Sequence, residues 1–252
     1  MIRTSSYKNK PMNKKNKKAL IIGATSGIGK ALARELVKNG YTVGITGRRK
    51  NLLLEIQKES PELIQIESFD STQPNALKHI ESLANKMGAV NLFIISAGVG
   101  HMNFNLEYAK ENETNQLNVI AFSQMVNWGI HYFENQGHGH LVNLSSIASL
   151  RGGRAAPAYN ASKAYQSNYF EGIAQRVTRS KLPIFTTDVK PGFVKTAMAK
   201  GPKMFWVASK EKAARQIFKS IQKKKRIVYI TKRWRIIAWI LKRIPWLFYK
   251  RM

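Results

Sequence analysis

Short runs of apolar, often β-branched residues alternate with longer segments of mixed polarity along most of the chain. The runs have the length of strands buried on both faces, and the segments between them are long enough for helices. The predicted strands are 18–22, 41–46, 63–69, 91–95, 140–144, 184–189 and 227–230. The predicted helices are 27–39, 49–59, 73–87, a long one within 105–133, 157–178 and 209–222.

This alternation is typical of βαβ units, in which right-handed crossovers join parallel strands and helices cover both faces of the sheet. We therefore predict an α/β fold, a Rossmann-like doubly wound parallel sheet of about seven strands in a single domain. The predicted catalytic domain spans residues 18–230. Residues 1–17 are predicted to be a disordered basic arm, with Met12 an alternative start, and residues 231–252 a basic amphipathic extension.

Charge and composition narrow the possible partners. The 252 residues include 42 Lys+Arg and 14 Asp+Glu, a net charge of +28, which favours phosphorylated cofactors, nucleic acid or anionic lipid surfaces. The absence of cysteine excludes disulfides and thiolate chemistry and is compatible with the cytoplasm, the predicted location. Of the five histidines only His138 and His140 are close in sequence, and they lack carboxylate or cysteine companions, so no metal site is predicted. The longest apolar stretch near the C-terminus, 236–241, is too short to span a bilayer.

A glycine-rich segment, Gly23-Ala-Thr-Ser-Gly27-Ile-Gly29, lies between the first predicted strand and the first predicted helix. Glycines allow the backbone to turn sharply and to approach a pyrophosphate, whose charge is favoured at a helix N-terminus. The segment therefore predicts a nucleotide-phosphate loop. The alternative is a tight turn with close packing.

Tyr159 and Lys163 are four residues apart on a predicted helix, so their side chains share one face. A cation close to a phenol favours the phenolate and lowers the phenol pKa, which suits a proton donor or acceptor near neutral pH. Ser146 lies 13 residues before the tyrosine. A Tyr-x-x-x-Lys pattern arises easily by chance in a lysine-rich chain, but this one lies close behind Asn143-Leu-Ser-Ser146.

Together, the glycine spacing, Ser146 and Tyr159-x-x-x-Lys163 resemble the short-chain dehydrogenase/reductase family over about residues 18–196. The resemblance implies that Ser146, not the adjacent Ser145, positions the substrate oxygen. It implies that Tyr159 exchanges the proton, and that Lys163 lowers the tyrosine pKa and holds the nicotinamide ribose. Asn118 in Gln-Leu-Asn-Val resembles the family's helix asparagine, which would anchor a water linking Lys163 to solvent. An ordinary packing amide is the alternative for Asn118.

The resemblance also implies contacts with a dinucleotide. Asp70 and Ser71 look like the family's adenine-contacting pair, although a helix N-cap is an equal alternative. Ile22, Ile95 and Ser96 replace the family's usual threonine and asparagines, departures that affect the scaffold. The segment 191–196 resembles the family's nicotinamide-flanking segment, with a proline–glycine turn as the alternative. The implied contacts are Gly23, Thr25, Ser26, Gly27, Ile28, Gly29, Asp70, Ser71, Ser96, Ala97, Gly98, Tyr159, Lys163, Pro191, Gly192, Val194 and Thr196.

The end of the second predicted strand indicates which cofactor is bound. An acidic residue there would accept hydrogen bonds from a ribose 2′-hydroxyl, but the chain has Thr46-Gly-Arg48-Arg49-Lys. Guanidinium groups match a phosphate with charge-assisted bonds, so we predict NADP(H), with Arg48 as the leading contact and Arg49 as the second. The alternative is that both arginines are surface charge.

The C-terminal segment 223–252 carries 11 Lys/Arg, no acidic residue and three of the five tryptophans. Pro245 is predicted to begin a second short helix. Two roles are about equally favoured: binding to an anionic membrane surface, and packing on the enzyme's own body or on another subunit. Nucleic acid is the least favoured. On a helical wheel one apolar face is formed by Trp234, Ile237, Ala238, Leu241, Ile244 and Phe248.

The expected function is NADPH-dependent reduction of a hydrophobic ketone, or oxidation of a secondary alcohol, as in a carbonyl reductase. The predicted pocket segments 100–104, 149–156 and 193–207 are rich in Met, Phe and Trp. The resemblance implies a homodimer or homotetramer. No recognisable module predicts specific nucleic-acid binding. The alternative, a non-catalytic dinucleotide-binding or membrane-surface protein, is disfavoured because Tyr159 and Lys163 are both present.

Overall fold

A computed structural model of the chain describes residues 17–197 and 204–251. Seven parallel strands form one sheet in the order β3-β2-β1-β4-β5-β6-β7. The strands are β1 (Lys17–Ile22), β2 (Tyr41–Gly47), β3 (Ile64–Ser68), β4 (Leu92–Ile95), β5 (Gly139–Leu144), β6 (Ile184–Pro191) and β7 (Ile227–Ile230). The helices are α1 (Gly27–Lys38), α2 (Lys50–Gln57), α3 (Ala76–Met87), α4 (Tyr108–Asn115), α5 (Phe122–Gln136), α6 (Pro157–Arg179), α7 (Lys210–Gln222), α8 (Trp234–Arg243) and α9 (Trp246–Tyr249).

The central strand β1 shows why the apolar runs lack alternation. Ala19 and Ile21 belong to the core on one face of the sheet, and Leu20 and Ile22 to the core on the other. Both faces are covered by helices, so every position of such a strand meets apolar side chains. The predicted α/β class and seven-stranded parallel sheet are confirmed.

The strand order reverses at β1, which pairs with β2 on one side and β4 on the other. The connections that follow β1 and β4 leave toward opposite faces and open a crevice at the carboxyl ends of the strands. This crevice receives the glycine segment and the residues after β4.

Element ends differ from prediction at two informative places. The predicted long helix is continuous through α4, a π-helical stretch (Gln116–Ala121) and α5, and it ends at Gln136. Helix α3 begins at Ala76 instead of residue 73, because a turn that starts at Asp70 precedes it. The predicted arm, 1–17, lies outside the described residues except for Lys17, which starts β1.

The C-terminal segment forms two helices against the body of the protein. Helix α9 follows Pro245 directly, as predicted. In α8, Trp234 and Ala238 are buried, so the predicted packing face is partly confirmed, whereas Phe248 of that face is 62% exposed in α9. In the described ranges, every helix is too short or too polar to cross a membrane.

Candidate active site

The glycine segment folds into a tight loop at the end of β1. Gly23 has φ +86°, and a Cβ added there would lie 2.6 Å from the Ala97 backbone. A Cβ on Gly29, in the first turn of α1, would lie 2.1 Å from the Gly23 carbonyl oxygen. Because neither position has room for a side chain, the close-packing interpretation holds for both. The loop leads directly into the N-terminus of α1, and a helix N-terminus is where a pyrophosphate is favoured.

Hydroxyl groups and one arginine border this loop. Arg49 Nη2 donates to Thr25 Oγ1 at 2.7 Å and to Ser26 Oγ at 3.1 Å. The Thr196 methyl, on the segment after β6, would be 3.5 Å from a Cβ on Gly27. Gly27 itself has φ +60°. The loop is therefore flanked by donors from β2's end and by Thr196 from the other side of the crevice.

Arg48 has a different neighbour. Its Nη1 lies 3.5 Å from Asp70 Oδ2. Asp70 Oδ1 accepts hydrogen bonds from the Thr72 backbone nitrogen at 2.9 Å and from the Thr72 hydroxyl at 2.8 Å. Burial opposes their effect, but these bonds and the Arg48 charge hold the Asp70 pKa below its usual value. Asp70 thus shapes the turn before α3 and does not cap the helix, whose N-cap residue is Asn75.

The remaining predicted cofactor residues fall along the same crevice or just behind it. The Ser96 nitrogen donates to the Ile22 carbonyl at 2.9 Å, which holds the end of β4 beside β1. Gly98 is close to the proton-transfer residues, since an added Cβ would lie 3.3 Å from both Asn118 Oδ1 and Lys163 Nζ. Half-buried positions along the crevice include Ile28, Ser71, Ser96, Ala97 and Gly98.

Tyr159 and Lys163 lie in the first two turns of α6, which begins at Pro157. Lys163 Nζ is 5.9 Å from the Tyr159 ring centroid. Lys163 Nζ also donates to the Leu144 carbonyl at 3.0 Å and to Gln166 Oε1 at 2.8 Å. The expected shared face is confirmed, and two uncharged acceptors, the Leu144 carbonyl and Gln166 Oε1, bind the ammonium.

The two neighbouring serines point to different partners. Ser145 Oγ donates to the Val189 carbonyl of β6 at 3.0 Å. Ser146 Oγ accepts from the Ala148 nitrogen at 3.1 Å and caps the short 3₁₀ turn Ile147–Leu150. A hydrogen bond with Ser146 also lowers the Tyr159 pKa. Ser146 is therefore the serine beside the phenol.

The predicted lowering of the phenol pKa by Lys163 is wrong for this structure. Tyr159 is half-buried as a residue, with its hydroxyl end enclosed, and this burial raises the Tyr159 pKa against the opposing effect of Ser146. Burial also lowers the pKa of Lys163 to about 8, opposed by the charge of Asp188. The reason is that the lysine's hydrogen bonds go to Leu144 and Gln166, and desolvation dominates both groups.

Asn118 lies in the π-helical stretch and is fully buried. Its Oδ1 accepts from the Val99 nitrogen at 2.9 Å, and its Nδ2 donates to the Val99 carbonyl at 2.7 Å and to Ser162 Oγ at 3.0 Å. The Asn118 carbonyl accepts from Gln166 Nε2 at 2.9 Å. The side chain therefore fixes the loop after β4 onto α6.

Gln166 was missed in the sequence, and Gly100 was predicted only as the start of a pocket segment, without its contact with Tyr159. Gly100 lies under the Tyr159 ring, where an added Cβ would be 2.4 Å from Cδ2. Gln166 links Lys163 to Asn118. The signal for Gln166 was its position one turn after Lys163, which puts both on one helix face. Gly100 had no local signal, because its neighbour is far along the chain.

Gly192, in the segment after β6, has a neighbour that the sequence did not indicate. An added Cβ there would lie 2.0 Å from the Trp234 indole, so this glycine makes room for α8. Val194 is buried and pairs with Ala208. Phe193 and Phe205 pack on Trp234 with ring centroids 5.3 and 5.1 Å away. Pro191 ends β6, and Met198 of the predicted pocket lies outside the described residues.

Histidine and acidic residues form no group suited to a metal ion in the described ranges. His140 is buried and hydrogen-bonded to Thr187 Oγ1 at 2.8 Å. Burial, with help from the Lys224 charge, lowers the pKa of His140 to about 4, so this histidine is neutral at neutral pH. It belongs to the packing of β5 against β6.

Comparison with known proteins identifies the family of this chain. The family model described as short chain dehydrogenase matches residues 17–204. An uncharacterized oxidoreductase of Staphylococcus haemolyticus is 30% identical over 186 residues, which cover 71% of this chain and 79% of the relative.

Two solved structures have the same fold. A 3-ketoacyl-(acyl-carrier-protein) reductase from Brucella melitensis, complexed with NADH, superimposes with a TM-score of 0.77 at 20% identity, covering 85% of this chain and 96% of that one. ElxO with NADP bound gives a TM-score of 0.74 at 21% identity, with the same coverage of 85% and 96%. From the extent of the family match and the identity to the staphylococcal oxidoreductase, this chain belongs to the short-chain dehydrogenase family of oxidoreductases.

Proposed function

We propose that the protein reduces an apolar ketone with NADPH, and that Tyr159 donates the proton. The observation that carries the proposal is the Tyr159 phenol, enclosed beside Ser146 and Lys163 at the carboxyl end of the sheet. The glycine loop lies at the same end, after β1. The bound nicotinamide would supply the hydride, and the protein supplies position and protons.

Each side chain has a role that follows from its surroundings. Ser146 donates to the substrate oxygen and orients it. Because burial raises the Tyr159 pKa, the phenol is protonated at neutral pH and ready to give its proton. The Lys163 ammonium then stabilises the phenolate, so activity requires lysine in its charged form. These states favour reduction over oxidation.

The side chains at the loop fit a phosphorylated dinucleotide. Gly23 and Gly29 allow the loop to fold tightly at the N-terminus of α1, and Thr25, Ser26 and Arg49 bring hydroxyl and guanidinium groups to it. No acid ends β2, whose last residue is Gly47. This donor set supports NADP(H), with Arg49 as the leading 2′-phosphate contact, ahead of Arg48, because Arg48 is paired with Asp70.

Apolar side chains near the catalytic segments support an apolar substrate. Met102 and Phe104 follow the loop after β4 and are 48% and 63% exposed. Phe205 and Trp206 are also exposed, beyond β6. A homodimer or homotetramer is proposed as well, through the surface of α6 that carries Tyr165. Light scattering of the purified protein measures that state directly.

The test is oxidation of NADPH and NADH, followed by absorbance, with a panel of aromatic, steroid-like and acyl ketones. We expect turnover with at least one apolar ketone and a higher kcat/KM with NADPH. Preference for NADH would refute the cofactor assignment. Binding of NADPH without turnover of any ketone would favour the non-catalytic alternative, which the intact set of Asn118, Ser146, Tyr159 and Lys163 argues against.

A further inference from the structure

Helix α8 has apolar side chains on two faces, and only one of them packs on the protein. Trp234 and Ala238 are buried against the body, whereas Ile236, Trp239 and Ile240 are 60, 59 and 41% exposed. In helix α9, Trp246, Leu247 and Phe248 are also exposed, at 68, 57 and 62%. We call these six exposed residues the tail surface. Although α8 packs on the body of the protein, no residue of the described ranges covers the tail surface.

The tail surface is held in a fixed position. Arg151 Nη1 donates to the Leu241 and Ile244 carbonyls at 3.3 and 3.0 Å, at the end of α8. The Arg151 guanidinium lies 4.3 Å from the Tyr249 ring centroid, and the Tyr249 hydroxyl donates to the Gly152 carbonyl. A surface ordered before binding does not lose that conformational entropy when it docks.

Charge selects the partner. Exposed cations accompany the tail surface, and the chain has no acidic residue after Glu211. A second copy laid on this surface would bring like charges together, whereas an anionic bilayer offers opposite charge, and indole rings favour the membrane interface. The cations are Arg235, Lys242, Arg243, Lys250 and Arg251. We propose that the tail surface docks in the plane of an anionic lipid bilayer.

Vesicle co-sedimentation of the full chain tests this proposal at roughly 0.1 M salt, where surface charges still act over about 10 Å. The vesicles are phosphatidylcholine, alone or mixed with phosphatidylglycerol. Wild type is expected to bind the mixed vesicles. The triple variant Lys242→Gln, Arg243→Gln, Lys250→Gln is expected to lose about a hundredfold in partitioning. The matched control Lys38→Gln, Lys58→Gln, Lys78→Gln removes three cations elsewhere and is expected to lose much less.

A second variant, Trp239→Ser with Trp246→Ser, removes two exposed indole rings and tests how much the apolar side chains contribute to vesicle binding. It should bind mixed vesicles at least tenfold more weakly, while Tyr108→Ser, at a 78% exposed aromatic elsewhere, binds as wild type. Equal binding of wild type to both kinds of vesicle would overturn the proposal. So would a concentration-dependent dimer that is lost in the tryptophan variant, because a second copy would then cover the tail surface.

A separate observation concerns Gln166, which is 1% exposed and joins two residues of the site. Its Oε1 accepts from Lys163 Nζ at 2.8 Å, and its Nε2 donates to the Asn118 carbonyl at 2.9 Å. In the reverse orientation the Gln166 NH₂ group would face the Lys163 ammonium, and its oxygen would face the Asn118 carbonyl. Two donors and two acceptors would then oppose each other, so the network fixes the orientation of the amide. The sequence predicts a water that Asn118 anchors and that links Lys163 to solvent, whereas here the Gln166 amide itself joins Lys163 to the Asn118 carbonyl.

We propose that Gln166 is a positioning residue that holds the Lys163 ammonium beside Tyr159 and closes the link between Lys163 and Asn118 to water. This inference rests on the proposed function for its catalytic consequence. An amide has fixed donors and one acceptor, so it does not relay protons as a water does. The ionisable groups facing Lys163 are Tyr159 on its own helix and Asp188 on β6.

The test uses Gln166→Leu, which removes the acceptor, and Gln166→Glu, which adds a charge. The Lys163 titration is read by NMR of ¹³C-labelled lysine in the cofactor-free protein, with the signal assigned from Lys163→Met. Gln166→Leu removes a hydrogen bond to the charged form of Lys163 and is expected to lower the Lys163 pKa by about one unit. Gln166→Glu places a carboxylate beside the ammonium and is expected to raise that pKa. The control Gln216→Leu changes a glutamine of α7 and should leave the titration unchanged.

In ketone reduction, the alkaline pH at which kcat falls should shift with the Lys163 pKa. It should be lower for Gln166→Leu and higher for Gln166→Glu. An unchanged Lys163 titration in both variants would overturn the positioning role. A shifted titration without any ketone turnover in the wild type would keep this inference and contradict the proposed function instead. The NMR readout does not depend on catalysis.

Discussion

The crevice of this protein has two sides that are built differently. The glycine-loop side offers bare backbone and partly exposed groups, such as Thr25, Ser26 and Arg49. The proton side consists of buried polar groups, Asn118, Lys163 and Gln166, whose hydrogen bonds are made within the protein. In the proposed function, the first side receives the phosphates of the cofactor. The second is already desolvated, and most of its polar groups have hydrogen-bond partners within the protein.

This difference predicts that changes on the two sides affect different measurements. Variants of the proton side should lower kcat much more than they weaken cofactor binding. Variants of the loop side should weaken cofactor binding and leave the pH dependence of kcat unchanged. A variant that mixes the two effects would show that the sides are coupled.

The largest effect is expected from Lys163→Met. Without the ammonium, the phenolate left by proton donation has no nearby cation, so kcat for ketone reduction should fall by about 10²–10⁴. Steady-state kinetics with NADPH measures the loss, and circular dichroism checks that the variant is folded. A variant that keeps more than a tenth of wild-type kcat would remove Lys163 from proton transfer.

The next effect is expected from Gly29→Ala. Its methyl would lie 2.1 Å from the Gly23 carbonyl, so the loop has to move, at a stability cost of about 1–3 kcal/mol. NADPH affinity, measured by fluorescence titration, should fall at least about tenfold. Gly172→Ala is the control, because α6 has open space there, and it should bind NADPH as wild type does. Equal affinity of the Gly29 variant would contradict a backbone cradle.

A third effect, of similar or smaller size, is expected from Arg49→Ala. Loss of a charge-assisted contact should raise the Kd for NADPH by about 10- to 100-fold and leave NADH affinity unchanged. Arg48→Ala is expected to have the smaller effect, since Arg48 pairs with Asp70. Isothermal titration with both cofactors ranks the two arginines. A loss for NADH as large as that for NADPH would place Arg49 away from the 2′-phosphate.

The smallest effect on catalysis is expected from Gly192→Ala, because Gly192 is in neither the glycine-loop side nor the proton side of the crevice. Its methyl would meet Trp234 at 2.0 Å, so the expected loss is in stability, about 1–3 kcal/mol, with little change in cofactor affinity. Thermal unfolding measures this loss. In a Trp234→Ala background, Gly192→Ala should cost less stability than it does in the wild type, because the clash is removed. A specific loss of cofactor binding at full stability would restore Gly192 to the cofactor site.

Local patterns predicted much of this architecture. Strand β1 is apolar at consecutive positions because both faces of the sheet are covered, and this is visible in sequence. The glycine loop is equally local, since Gly29 packs on Gly23 only six residues away. Tyr159 and Lys163 share a face by helical spacing alone. In each case the residues that decide the structure are neighbours in the chain.

Features set by distant contacts could not be predicted. Gly192 is required by Trp234, 42 residues later, so its glycine gave no hint of its neighbour. The link from Gln166 to Asn118 depends on the π-helical stretch, which carries the Asn118 carbonyl. The Tyr159 pKa depends on how deeply its hydroxyl is buried, and spacing does not report burial. The second apolar face of α8 became evident only once Trp234 and Ala238 were seen to be the packed one.

The most direct test of the account is the Tyr159→Phe variant with the best ketone and saturating NADPH. The account predicts wild-type NADPH affinity by fluorescence titration and a kcat lower by about 10²–10⁴, because only the proton donor has been removed. A Phe variant that reduces the ketone at the wild-type rate would contradict it.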